Sequence, residues 1–506
     1  MGREEELSMD YEREARELVS NLSQRMGPSA YDIAWMARLK SPTNGHACWP
    51  NLVEWLVTHQ HADGSWGGQI VYYHERIVCT LAAVIALRYN DETRPIQAAI
   101  ERGVRYVWHH LHLLSRDPFE LVGFELILPT LLQEAQALGL DVPSHTCGYG
   151  EIQIAKLQLI PPDFLYSPRV TTIHSLEFLG PTADAARLRA AIADNGSLGN
   201  SPATTAYYLT YHPDDQRAWT YLDTMQQRSQ HVIYLYPFRI FELNWVLNNL
   251  MFSGRPIDSF TNEQIWQDLQ ANVREDGISL DPSFGIPDGD TTSVGAKLLL
   301  SFGHSFDPLI LSKFEDKKNR VFRTYNYERN ASIGTNVHAL EALRLMPDYP
   351  ERAVVQAQIT RMLLDSRVYA VYWIDKWHTS PYYATAHALV ALLAQGDHLH
   401  DACDPSIEWL IHTQHADGSW GFFQQGTAEE TAYALTALLN YHKYQEIDPD
   451  ILHRGADYLA RTHQGPTSLY PELWIGKDLF APYDIVRAAI LAALMLYQET
   501  LGRNLG

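Results

Sequence analysis

Apolar positions along this chain recur at helical rather than strand spacing. Leu7, Tyr11, Ala15, Leu18, Val19 and Leu22 share one face of residues 4–25, with charged residues between them, and predict an amphipathic helix. Denser apolar runs over 78–87, 432–439 and 485–496 predict further helices. Another follows the loop Gly285-Ile286-Pro287 and runs from Ser293 through Leu300. Alternation with period two is scarce, so the chain is expected to be all-α. Asn248-Asn249 and Ser253-Gly254-Arg255-Pro256-Ile257-Asp258 read as a break, which puts a domain boundary near residue 257.

The pattern also repeats. Gln60-His61-Ala62-Asp63-Gly64-Ser65-Trp66-Gly67 returns unchanged as Gln414-His415-Ala416-Asp417-Gly418-Ser419-Trp420-Gly421, and a helix is expected after each copy. Asp-Gly-Ser makes a tight turn in which Gly supplies a positive φ. Gln can then bond the neighbouring backbone while Trp packs between helices, a structural role. Two copies predict two related helical halves built from antiparallel helix pairs.

Asp288-Gly289-Asp290-Thr291-Thr292 sits where the Gly-Pro loop meets its helix. The plain reading is an N-cap followed by a surface Asp. The chemical reading is that one carboxyl is kept protonated as a general acid, because two close carboxylates do not both ionise easily.

Composition removes several function classes. The chain has 506 residues, 46% hydrophobic and 20% charged, with net charge -21. That balance argues against nucleic acid or an anionic membrane surface as the main partner. Cys48, Cys79, Cys147 and Cys403 are dispersed without a CxxC and are expected to be reduced core thiols of a cytoplasmic protein. The acidic start, Met1-Gly2-Arg3-Glu4-Glu5-Glu6-Leu7, lacks the apolar core of a signal peptide. No stretch approaches twenty uncharged apolar residues, so stable membrane insertion is not expected.

The acid loop resembles the DxDD motif of class II terpene cyclases, in its DxDTT form, with Thr291 where the usual motif has its last Asp. The repeats resemble the QW motif of triterpene cyclases and their relatives. Ser29-Ala30-Tyr31-Asp32-Ile33-Ala34-Trp35, Lys156-Leu157-Gln158-Leu159-Ile160-Pro161, Thr172-Ile173-His174-Ser175-Leu176-Glu177 and Leu473-Trp474-Ile475-Gly476-Lys477-Asp478 are similar to further stretches of that family. The resemblance implies two α/α-barrel domains in a βγ arrangement. Residues 1–25 would be an N-terminal helix belonging to the β domain, 26–257 the γ domain, and 258–506 the β domain carrying the acid.

It also implies roles. Asp290 would protonate a terminal alkene, with Asp288 as its neighbour. Asn336 matches the position that hydrogen-bonds the acid, and Ser332 lies one helical turn earlier on the same face. His338 reads as a packed or solvent-facing residue. His174 matches a His that holds the terminating water with an Asn, but Tyr234 stands at that Asn position, which leaves a different proton acceptor or a hydroxylated product open. Lys156 matches a diphosphate-binding Lys, and Lys477 is a second candidate. Asp117, Glu120 and Glu125 could hold Mg²⁺ by oxygen ligation. A carbocation needs a dry aromatic cavity, for which Trp373, Trp377, Tyr382, Tyr383, Trp474, Tyr234 and Tyr236 are candidates. Asp214-Asp215-Gln216-Arg217-Ala218 fails the DDxxD pattern of the ionising reaction.

The partner is therefore expected to be a small prenyl diphosphate, with the oligomeric state open. The DxDTT ending resembles enzymes that make drimane-type C15 diphosphates, implying farnesyl diphosphate closed to drimenyl diphosphate with the diphosphate retained. The alternative is a C20 cyclase making a copalyl-type product from geranylgeranyl diphosphate. Outside terpenoid chemistry, a non-catalytic helical repeat binding protein and an α/α-barrel glycosidase with paired carboxylates are the competing readings.

Overall fold

The computed structural model describes residues 3–41, 44–90, 93–229, 232–467 and 470–502. Met1 and Gly2, within the acidic start noted above, lie outside them. Helices make two closed rings. In the first, Ala30–Ala37 packs on Tyr73–Asn90, which packs on Phe124–Ala137; the 3₁₀ segment Thr171–Thr182 and helix Pro202–Tyr211 lead back to Ala30–Ala37. In the second, neighbours run Arg239–Leu250, Gly289–Ser301, Ile333–Arg344, Pro381–Leu393, Ala428–His442 and Tyr483–Leu501, and the last packs on the first.

Hydrophobic pattern decides which helices are inner. Tyr483–Leu501 and Ala428–His442 are buried on nearly every side, as their dense apolar runs require. Outer helices bury one stripe: Pro449–Thr462 hides Leu452, Gly455, Ala456 and Leu459, at i, i+3, i+4 and i+7. The N-terminal helix ends at Ser20, short of the expected residue 25, and packs on Tyr483–Leu501 in the second ring. Described strands are two-residue hairpin pairs only.

The expected boundary at 257 falls too late. Helix Arg239–Leu250 closes the second ring against Gly289–Ser301 and Tyr483–Leu501. The break after it is the turn that ends this helix, with Gly254 at φ +77°, so a loop signal marked a helix end inside a ring.

Both copies of the repeat do the same mechanical job. Gln60 Nε2 donates to Gly64 O and Ala99 O, and Gln414 Nε2 to Gly418 O and Ile451 O. Gly64 and Gly418 have φ of +94° and +92°, and a Cβ on either would meet the backbone of Arg102 or Arg454. Trp66 and Trp420 donate their indole N–H to Leu56 O and Leu410 O at 2.7 Å. Each Trp backbone N–H then donates to a Thr hydroxyl on the next inner helix, Thr80 or Thr431. That bond also joins Leu198 to Thr205, Ile278 to Thr292 and Trp373 to Thr385. The repeat is thus wider in space than in sequence.

The rings meet through the second ring's hairpin Trp474–Ile475/Leu479–Phe480. From it Lys477 reaches Glu177, the Leu479 N–H donates to Glu75, and neighbouring Asp478 accepts from Ser29. Cys79 and Cys403 are buried, but Cys48 is half-buried and Cys147 exposed, so not all thiols are core. Among the described residues no helix is long and apolar enough to cross a membrane.

Candidate active site

The acid loop is one more turn of the repeat. Ile278 pairs with Asp288 across a two-residue hairpin, and Thr292 Oγ1 receives the Ile278 N–H at 2.9 Å and donates to Asp288 O at 2.6 Å. Gly289 lets the loop press on its neighbour: a Cβ there would lie 2.3 Å from Arg323 O. Asp288 caps the helix Gly289–Ser301 by accepting the Thr291 N–H at 2.6 Å. Burial, aided by the charge of Asp290 and opposed by the Thr291 N–H, pushes the Asp288 carboxyl up to about 7.

Asp290 follows in the first helical turn, buried, with Oδ1 2.6 Å from His338 Nδ1. His338 comes from Ile333–Arg344, the next inner helix, and its ring is fully buried. The expected partner is not there. Asn336 Oδ1 accepts the Phe322 N–H, and its Nδ2 donates to Phe322 O and Ser332 O, each at 2.8 Å. Residues 336 and 338 point to different sides of a helix, so the side that grips the Phe322 hairpin cannot also face the acid. Ser332 donates to Asp375 Oδ1 at 2.8 Å and caps its own helix. Asp375 in turn has its carboxyl raised by burial, with Asp290 contributing.

From His338 an unbroken series of rings leads to His174. Trp245 lies 5.8 Å from His338, Phe241 4.5 Å from Trp245, and Trp474 5.8 Å from Phe241. Phe480 is 6.2 Å from Trp474, Tyr234 5.2 Å from Phe480, and His174 5.1 Å from Tyr234. Tyr383 packs edge-on to Trp474 at 5.2 Å and accepts the Trp245 indole N–H. Tyr325 keeps part of its surface open although burial and the charges of Asp288, Glu328, Tyr234 and Asp290 raise its hydroxyl well above the usual range.

The aromatic candidates divide accordingly. Tyr383, Trp474 and Tyr234 belong to this series. Trp373 does not: its indole donates to Leu363 O at 2.7 Å, as in the repeat, and it is core. Tyr382 stacks on Trp409 at 4.7 Å, between helices. Trp377 donates to Thr324 and packs edge-on to Tyr325 at 6.2 Å. Tyr236 is half-buried under the Arg228 guanidinium. Phe241, Trp245, Tyr325 and Phe480 are additions that no spacing rule singled out.

At the far end His174 Nδ1 lies 2.6 Å from Gly199 O. A carbonyl only accepts, so Nδ1 carries the proton and Nε2 is the acceptor of the Tyr234 hydroxyl at 2.9 Å. Burial, with the Lys477 charge nearby, lowers the His174 imidazole to about 3, so it is neutral.

The charged candidates fare unevenly. Lys477 is fully buried and donates to Glu177 Oε1, Ser201 Oγ and His174 O at 2.6–2.9 Å. A Lys so committed joins the rings and does not face solvent as a second diphosphate ligand. Lys156 is half-exposed and paired with Glu125. The supposed metal ligands are spent elsewhere: Asp117 on the His74 N–H and imidazole, Glu120 on the Tyr149 hydroxyl, Glu125 on Lys156. Among the described residues no three His, Cys, Asp or Glu side chains are grouped to hold a metal.

A profile of the squalene-hopene cyclase C-terminal domain matches residues 364–457. A type B diterpene cyclase of Mycobacterium tuberculosis is 34% identical over 95% of this chain and 97% of its own length. The chain belongs to the class II terpene cyclases. An ent-copalyl diphosphate synthase of a Streptomyces species is 30% identical over 96% of this chain and 94% of its own. The solved structure of ent-copalyl diphosphate synthase from Streptomyces platensis superposes with TM-score 0.80 at 29% identity, covering 96% of this chain and 99% of that one.

Membership corrects one expectation and weakens another. Class II terpene cyclases start from the proton of a carboxylic acid, and the Mg²⁺ assigned to Asp117, Glu120 and Glu125 is withdrawn, since those residues do not form a metal site. The C15 reading rested on Thr291-Thr292, yet Thr292 holds the place of Thr80, Thr205, Thr385 and Thr431 and is part of the scaffold. The similar cyclases are named for diterpenes, which favours the C20 alternative.

Proposed function

We propose that this chain is a class II diterpene cyclase that folds geranylgeranyl diphosphate into a bicyclic, copalyl-type diphosphate and retains the diphosphate. The observation that carries the reading is Asp290, a carboxyl at a helix N-terminus, bonded to His338, whose ring packs edge-on to Trp245 at the head of the aromatic series. His338 Nδ1–H donates to Asp290 Oδ1, leaving the other oxygen to give its proton to the terminal alkene. As the proton leaves, the His338 N–H and the helix N-terminus stabilise the carboxylate that forms. The aromatic faces of Trp245, Phe241 and Trp474 then stabilise the cation as two rings close.

Termination falls to Tyr234. Its own proton is held by neutral His174, so an oxygen lone pair is free for the C–H proton of the final cation. That proton forms a new O–H bond as the Tyr234 proton passes to His174 Nε2, and the C–H electron pair becomes the product alkene. A weak base is enough, because a tertiary carbocation is a very strong acid. Lys156, released from Glu125, would meet the diphosphate. The test is kcat/KM for the C20 and C15 substrates side by side; higher kcat/KM for farnesyl diphosphate returns the chain to the drimenyl reading.

A further inference from the structure

Trp474, midway along the aromatic series, donates its indole N–H to Glu429 Oε1 at 2.9 Å. His378 Nε2 lies 3.2 Å from the same oxygen, and its Nδ1 sits between the Ser380 N–H at 3.1 Å and the Ser380 carbonyl at 3.3 Å. Both side chains of this pair are fully buried. Glu429 also lies in the first turn of Ala428–His442, where free N–H groups favour a negative charge. Two ring nitrogens thus converge on one Glu429 oxygen at a helix N-terminus, the setting in which charge-assisted hydrogen bonds form. His378 moreover stacks on Tyr383 at 4.7 Å, and Tyr383 packs on Trp474.

We propose that Glu429 is an electrostatic positioning residue of the cyclisation. It touches no reacting atom; its charge, delivered through the Trp474 N–H bond, enriches the indole face and makes that face a better partner for the carbocation. The reaction does not consume this charge and needs no proton from it. The inference rests on the cyclase reading above, and a polar network of buried side chains is otherwise a packing device. Trp474 is fixed in the hairpin that joins the rings, so its face holds one orientation while the cation migrates past it.

The experiment compares two non-reacting analogues of the prenyl diphosphate, one with a tertiary ammonium in the hydrocarbon chain and one with carbon in that place. Binding of each is measured to the unmodified protein, Glu429→Gln and Trp474→Phe. Glu429→Gln keeps an acceptor for the indole and removes the charge; Trp474→Phe keeps a ring and cuts the bond. The expected result is that both variants bind the ammonium analogue about tenfold more weakly, change affinity for the carbon analogue less than about twofold, and lose kcat with KM nearly unchanged. The ratio of the two affinities is insensitive to the fraction of folded protein. Equal weakening of both analogues, or no weakening of the ammonium one, overturns the proposal and leaves the cyclase reading standing. Failure of the unmodified protein to bind either analogue overturns both.

Discussion

The two ends of the aromatic series each set a histidine against an oxygen acid, with opposite results. At one end His338 faces Asp290 across 2.6 Å, beside a helix N-terminus and a neighbour, Asp288, whose carboxyl is pushed up to about 7. At the other, the Gly199 carbonyl fixes the His174 tautomer, so that the imidazole can only accept from Tyr234. In the function proposed above, the first arrangement gives a proton away and the second receives one. The Gly199 carbonyl fixes the proton position on His174, whereas His338, among the described residues, has Asp290 as its one hydrogen-bond partner and a buried Nε2 without one.

The sharpest break of that contrast is Asp290→Asn, which keeps shape and removes the proton. Turnover is expected to fall by at least about a thousandfold, read as loss of cyclised product by mass spectrometry, with the unfolding midpoint little changed. His338→Gln is expected to cost about a hundredfold in kcat with KM retained. An equal loss on Asn336→Ala with none on His338→Gln would restore Asn336 as the acid's partner. Tyr234→Phe tests the other end. Cyclisation still begins, so kcat is expected to fall only about tenfold, while the product mixture broadens toward other alkenes and alcohols. A single unchanged product would remove Tyr234 from termination.

The sequence was informative where chemistry or packing leaves a linear trace. Two copies of QHADGSWG and all-round apolar helices announce nested rings, and a DxD at a loop-helix junction announces the acid. It was silent where spacing could not choose between faces. Asn336 and His338 lie two residues apart on one helix, and only the hairpin at Phe322 shows which one is occupied. Trp373 looked like a cavity aromatic because Val371-Tyr372 carries no Asp-Gly-Ser; its bonds to Leu363 and Thr385 reveal a degenerate repeat.

A smaller effect reports on the buried acids as a class. Burial raises the carboxyls of Glu75 and Glu242 to about 8 and of Glu430 and Asp288 to about 7. Between pH of about 6.5 and about 8 the folded state therefore binds more protons than the unfolded one, and stability falls as pH rises. His174, neutral when buried, opposes this only at lower pH. Thermal unfolding across that window should show the decline, and Glu242→Gln should flatten it; an unchanged slope would mean that Glu242 ionises normally.

The most direct test of the acid is to run the reaction with geranylgeranyl diphosphate in D₂O. The expected product is a bicyclic diphosphate bearing one deuterium on the ring methylene next to the gem-dimethyl carbon, with no inorganic diphosphate released and no product from Asp290→Asn. A product without deuterium, stoichiometric release of diphosphate, or labelling that survives Asp290→Asn would contradict protonation by Asp290.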